Sequence, residues 1–206
     1  MIAVEQEGGL VTLCLNRPDK ANSLTAAMLE DLIAAVGRAS DSGARALVLT
    51  GTDKVFSAGA DLEEARAGLA ISPLWDRLSG AIAGFDGLTV AALNGTLAGG
   101  AMGMALACDL RLAVPGAKFF YPVMRLGYLP QAADVPRLVA LVGRSRAAMI
   151  LMGGARIEAA EALAWGLVDR VVPPEGLMAE ARALAADALA ARPGHGAAIK
   201  AMIGRA

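Results

Sequence analysis

The chain has 206 residues, with 19 Lys plus Arg against 20 Asp plus Glu and a net charge of −1. That length fills one domain with a substantial core and leaves two cramped, and the balanced charge gives no electrostatic footprint for nucleic acid. Apolar residues make up 56% and charged ones only 19%, which predicts apolar surface beyond a single core, used at a subunit interface or a ligand tunnel.

The opening MIAVEQEGG lacks a basic region followed by an apolar stretch, so no signal peptide is expected. Residues 10–15 (LVTLCL) and 45–50 (RALVLT) are short β-branched apolar runs ended by turn formers and read as buried strands. Between them, 25–40 sets Met28, Leu29, Leu32, Ile33 and Val36 at helical spacing, with Gly43 as a stop signal. Strand and helix then alternate again: a strand at 88–93 (LTVAAL), a small-residue helix at 100–107, and strands at 107–114 and 117–121. Helices follow at 133–142, 144–152 and 158–165, then a strand at 167–172 and an Ala-rich helix over 175–191. This order predicts a mainly parallel sheet wrapped by helices, an α/β fold in one domain. The most apolar window, 88–108, is broken by Asn94, Thr96 and several glycines, short of the ~20 unbroken apolar residues that a membrane helix needs. Cys14 and Cys108 lie in apolar runs and read as buried free thiols, which fits a cytoplasmic protein.

Two glycine-bearing strand-to-helix junctions carry the chemistry: Phe56-Ser57-Ala58-Gly59-Ala60-Asp61-Leu62 and Asn94-Gly95-Thr96-Leu97-Ala98-Gly99-Gly100-Ala101. The first N–H groups of a helix have no intrahelical partner and carry the positive end of its dipole. Small residues let a ligand oxygen approach that backbone closely. Either junction alone reads first as a tight strand-to-helix turn. Two of them converging would aim two N–H donors at one oxygen, the arrangement that stabilises an enolate or a tetrahedral oxyanion.

With its flanking text the pattern resembles the crotonase, or enoyl-CoA hydratase/isomerase, family. The resemblance runs from Leu15-Asn16-Arg17-Pro18 through FSAGADLEE at 56–64, LNGTLAGG at 93–100, ALACDLRLA at 105–113 and AKF at 117–119, to the long block at 141–173. It implies a crotonase-like spiral of ββα units over 1–190 and an acyl-CoA thioester as substrate, with coenzyme A entering as part of that substrate and no permanently bound cofactor. By position it implies Ala60 and Gly100 as the backbone oxyanion donors. Ala58, Asp61 and Leu62 would line the adenine and pantetheine channel, with Lys20 and Ala21 at its mouth. Lys20 would meet a CoA phosphate or stand solvated, and Asp61 would alternatively cap the helix after it.

The sequence departs from the family where hydratases carry their two catalytic glutamates. The first position is Gly103; the second is Val123, in Pro122-Val123-Met124-Arg125-Leu126-Gly127. Neither residue moves protons, and each lost acid or base typically costs ~10²- to 10⁴-fold. Ordinary two-glutamate hydration is therefore not expected. Tyr128, Gln131 and Asp134 follow in the loop GYLPQAAD as substitutes. Gln131 aligns with the aspartate nucleophile of a related dehalogenase and would orient water. Asp134 is a base if it turns inward, or an N-cap ahead of Val135-Pro136; Tyr128 donates a proton or walls the pocket. Arg125 and Arg77 would bind an acidic acyl group or make surface ion pairs. Glu63 and Glu64 read as a solvated face, and His195 as a loop residue. No CxxC, HExxH or carboxylate cluster points to a metal. Family members usually continue past the position of Lys200 in helices that close the acyl pocket and build a trimer. The segment 191–206 is read as a shortened form of that region, and a homotrimer or dimer of trimers as the assembly. A silent acyl-CoA-binding subunit is the rival expectation.

Overall fold

The computed structural model describes residues 1–204. Ten strands form in chain order: β1 (Ile2–Glu7), β2 (Leu10–Leu15), β3 (Ala46–Gly51), β4 (Val55–Ser57), β5 (Leu88–Leu93), β6 (Thr96–Ala98), β7 (Leu110–Ala113), β8 (Lys118–Phe120), β9 (Ile157–Glu158) and β10 (Arg170–Val171). They divide into a six-stranded sheet of order β1-β2-β3-β5-β7-β10 and a four-stranded sheet of order β4-β6-β8-β9. All pairs in the large sheet are parallel except β1–β2. In the small sheet β4–β6 and β6–β8 are parallel and β8–β9 antiparallel.

The division follows a repeat. β3, β5 and β7 each lie in the large sheet, and each is followed a few residues later by a strand of the small sheet, then by helix. β2, β3 and β5 are apolar almost throughout and buried on both faces, as strands covered on two sides must be. The small-sheet strands are only two or three residues long. Their corners stack so tightly that a Cβ at Gly95 would overlap the Lys54 carbonyl. Asn94 ties the corners together: its Oδ1 accepts the Gly51 N–H at 2.9 Å and its Nδ2 donates to the Asp53 carbonyl at 3.0 Å.

Helix Ala26–Asp41 buries Met28, Leu29, Leu32, Ala35, Val36 and Ala39 on one face, and each such leucine contributes about 1.5–3 kcal/mol. Thr25 caps it by accepting the Met28 N–H at 3.2 Å, and Glu64 Oε2 accepts the Ala26 N–H at 2.7 Å. Glu64 is thus a second cap rather than part of a solvated face, a role set by tertiary contact 38 residues away in sequence; Glu63 is exposed.

Several expectations need correction. Ile2–Glu7 is a strand, hairpinned onto β2 through Gly8 and Gly9, both at positive φ. The Ala-rich helix runs Leu177–Ala190 and a further helix, His195–Ile203, follows it. His195 therefore opens a helix rather than sitting in a loop, because Gly194 at φ 77 turns the chain. That last helix is pinned by Lys200, whose Nζ donates to the Phe85 carbonyl at 3.0 Å and pairs with Asp109 at 2.9 Å. Residues 205 and 206 of the C-terminal segment lie outside the described residues. Cys108 is buried, its thiol pushed up to about 12 by desolvation, whereas Cys14 is only half-buried. Among the described residues no helix is long and apolar enough to cross a membrane.

Candidate active site

The first glycine junction is built against residues 21–24. Ala21 and Asn22 both take left-handed backbone, at φ 50 and 51, and buried Asn22 holds the turn by donating to the carbonyls of Thr52 and Val55. Ser57 Oγ donates to the Asn22 carbonyl at 2.8 Å and the Ala58 N–H to the Ala21 carbonyl at 3.0 Å. The Leu24 N–H then bonds the Gly59 carbonyl, and the Asp61 N–H the Leu24 carbonyl, each at 2.8 Å. In this parallel bridge residues 59 and 61 supply both bonds to Leu24, so the N–H of Ala60 points to the opposite edge.

The second junction meets the first through its main chain. Gly59 (φ 94) and Gly99 (φ 59) pack so closely that a Cβ on Gly59 would lie 2.9 Å from the Ala98 carbonyl and 3.4 Å from Gly99 Cα. Beyond them Gly100, the second residue of a 3-10 turn Gly99–Ala101, lies against the Trp75 ring, 3.1 Å from where a Cβ would stand. Trp75 is fixed by its Nε1 donating to the Leu69 carbonyl at 2.8 Å. Ala58, Ala60, Gly99 and Gly100 line a cavity of about 130 Å³.

The same cavity is lined by Tyr121, Val123, Tyr128 and Gln131, and by Leu62, Leu126 and Leu129, which are exposed. Of the sequence candidates, Ala60, Gly100, Ala58, Leu62, Tyr128 and Gln131 all line this space. Gln131 also donates through Nε2 to the Ala70 carbonyl at 3.3 Å. Lys20 is exposed and Ala21 meets the junction only through its carbonyl. Arg125 lines a separate cleft with Arg156, and Arg77 is exposed on helix Leu74–Ala83.

Asp61 does not line the cavity. Its Oδ1 caps helix Leu62–Arg66 at the N–H groups of Glu63 and Glu64, and its Oδ2 takes a 2.8 Å hydrogen bond from Arg17 Nη1. The Arg17 guanidinium and these caps hold its carboxyl below the ordinary value.

Asp134 is not the N-cap. It is the first residue of helix Asp134–Val142, with Ala133 at the cap position, and its side chain turns inward to 1% exposure. The room for it comes from Gly103: a Cβ there would lie 2.6 Å from Asp134 Oδ1. A carboxylate thus stands beside Gly103, delivered from another helix. Tyr121, which the sequence reading passed over as a strand end, donates from its hydroxyl to Asp134 Oδ2 at 3.0 Å and walls the cavity in front of it. Asp134 Oδ1 has no hydrogen-bond partner. Burial pushes the Asp134 carboxyl up to about 6, against the opposing pull of Tyr121 and Arg137. The one sequence signal was a glycine inside a helix, a position that often marks close approach by another group. Among the described residues no cluster of three or more His, Cys, Asp or Glu is placed to hold a metal.

Two sheets of mainly parallel strands wrapped by helices make a fold shared with many known proteins. The sequence profile of the enoyl-CoA hydratase/isomerase family matches residues 5–206. A putative enoyl-CoA hydratase of Thermus thermophilus is 37% identical over 198 residues, covering 90% of this chain and 76% of its own. The putative enoyl-CoA hydratase/isomerase YngF of Bacillus subtilis is 39% identical over 185 residues, covering 86% and 71%. The crystal structure of an enoyl-CoA hydratase from Bacillus anthracis superimposes with a TM-score of 0.91 at 32% identity, covering 98% of this chain and 82% of that one. The chain belongs to the enoyl-CoA hydratase/isomerase, or crotonase, family and has its fold.

Proposed function

We propose that the protein binds an acyl-CoA thioester with its carbonyl oxygen between the N–H groups of Ala60 and Gly100, and stabilises the enolate or oxyanion formed there. The observation that carries this reading is the contact of Gly59 with Gly99, whose following residues, Ala60 and Gly100, line one cavity. The N–H of Ala60 is turned away from Leu24, and that of Gly100 lies at a helix start where no intrahelical acceptor exists. One such donor is worth ~3–4 kcal/mol in an oxyanion hole. The cavity, at about 130 Å³, is small beside the ~300–1,000 Å³ of a site for a whole drug-sized ligand. It suits the acyl end alone, with CoA running outward past Ala58 and Leu62 to Ala21 and to Lys20 as a phosphate contact. Asp61 serves that path as the cap that fixes Leu62.

With glycine at 103 and valine at 123, two-glutamate hydration is not the reaction in this reading. Isomerisation, decarboxylation or thioester hydrolysis remain as chemistries that pass through the same oxyanion. The same two residues favour a second reading, a silent acyl-CoA-binding subunit. Assembly as a homotrimer or dimer of trimers in the cytoplasm fits the apolar side chains left exposed at Met149, Met152 and Leu163. The test uses crotonyl-CoA. Saturating thioester should raise the melting temperature, by the equivalent of ~2.7 kcal/mol at a hundredfold excess over Kd, while the conjugated absorbance of crotonyl-CoA persists. Absence of any shift with crotonyl-CoA or acetyl-CoA would sink the binding role, and rapid loss of the absorbance would overturn the exclusion of hydration.

A further inference from the structure

Resting on that reading, we propose that Tyr121 is the group that exchanges a proton with the acyl Cα and that Asp134, held in the slot left by Gly103, is the positioning residue and proton reservoir behind it. Four observations meet here. Tyr121 lines the same cavity as the two junctions. Its hydroxyl donates to Asp134 Oδ2 at 3.0 Å and receives the Gln131 N–H at 3.4 Å, so its orientation is fixed from two sides. Asp134 is a buried carboxylate with one oxygen unpartnered, an expensive arrangement for a residue with no task, since an orphaned buried charge costs several kcal/mol. Gly103 lacks the one atom that would close the slot.

The proton moves in concert. As the Cα–H bond breaks, its electron pair enters the enolate and the charge settles on the carbonyl oxygen between Ala60 and Gly100. The released proton bonds to Tyr121 Oη while the phenolic proton passes to Asp134 Oδ2. Tyr121 stays neutral throughout, which its environment requires: burial and the neighbouring Asp134 push its hydroxyl well above the ordinary value. The reverse sequence returns a proton to carbon. The groups facing Asp134 are Tyr121, Arg137 on its own helix, and Asp76 on helix Leu74–Ala83. Only the ionised carboxylate can accept the proton, so the forward step gains rate as pH rises through the Asp134 value of about 6.

The test is hydrogen exchange at Cα of butyryl-CoA in deuterated water, read by mass spectrometry, with the thermal shift by butyryl-CoA measured alongside. Wild-type protein should incorporate deuterium, with a rate that rises through pH 6 to a plateau. Tyr121→Phe should lose ~10²-fold or more in rate while keeping the thermal shift. Asp134→Asn should lose the rise with pH as well as the rate, which a merely structural role would not produce. Exchange at the wild-type rate in either variant overturns the relay, and so does a thioester that binds without exchanging in the wild type. A butyryl-CoA that fails to bind removes the underlying reading instead.

Discussion

Asp61 and Asp134 are each one step behind the cavity wall, and their surroundings drive them in opposite directions. Asp61 accepts a bond from Arg17 and two from backbone N–H groups, and its carboxyl is held below the ordinary value. Asp134 has one hydroxyl donor, an orphaned oxygen and almost no solvent, and its carboxyl is raised to about 6. The first is stabilised by its neighbours and fixes a helix. The second costs stability and is left poised to titrate, which is the pattern of a group kept for chemistry. The same residue type thus meets opposite surroundings, separated by what stands within hydrogen-bond reach.

The largest expected effect comes from removing the costly member. Unfolded, Asp134 titrates near 3.8, and folded near 6, so the folded state binds the extra proton. Stability is full below the unfolded value and is lost as pH rises through the folded one. Asp134→Asn should therefore stabilise the protein above pH 6, by up to about 3 kcal/mol, with the gain vanishing toward pH 3.8; denaturant titrations at several pH values check it. A gain that does not depend on pH would erase the contrast.

Next comes the slot. Gly103→Ala should destabilise by about 1–3 kcal/mol through overpacking although alanine ordinarily favours a helix by ~0.5–1 kcal/mol. In an Asp134→Ala background the same substitution should become neutral or stabilising, a coupling that a double-mutant cycle measures. Smallest is the structural member. Asp61→Ala should cost about 1 kcal/mol, the usual worth of an N-cap. Because the folded carboxyl is lowered, that contribution is present above the unfolded value and disappears as pH falls through the folded one, so the variant and wild type should converge in acid.

What was legible in the sequence followed the length of the signal. β2, β3, β5 and helix Ala26–Asp41 are long enough for their apolar pattern to speak for itself, and they appear within a residue or two of expectation. β4, β6 and β9 are too short for any period to show, and β1 is an exposed edge strand of mixed character. The junction residues that line the cavity are legible because close backbone packing leaves its mark as small residues in a fixed order. Side-chain contacts leave no such mark. Glu64 caps a helix through a fold-level contact, and Tyr121 is held by Asp134 and Gln131, 13 and 10 residues further along the chain. Asp134 was named as a candidate base, but Val135-Pro136 made a cap look the better use of it; the vacancy beside Gly103 decided otherwise.

The close approach of Gly59 to Gly99 has an evolutionary corollary. Main chain against main chain acts as a spacer whose width is indifferent to the surrounding side chains. Side chains such as Val123, Leu126 and Leu129, which line the cavity but take no part in that contact, can change and reshape the cavity while the spacing of the junctions is kept. The glycines themselves are barred from such change, since even a methyl group at 59 would press on the Ala98 carbonyl. A scaffold divided this way can change the lining of its cavity without disturbing the frame that holds it.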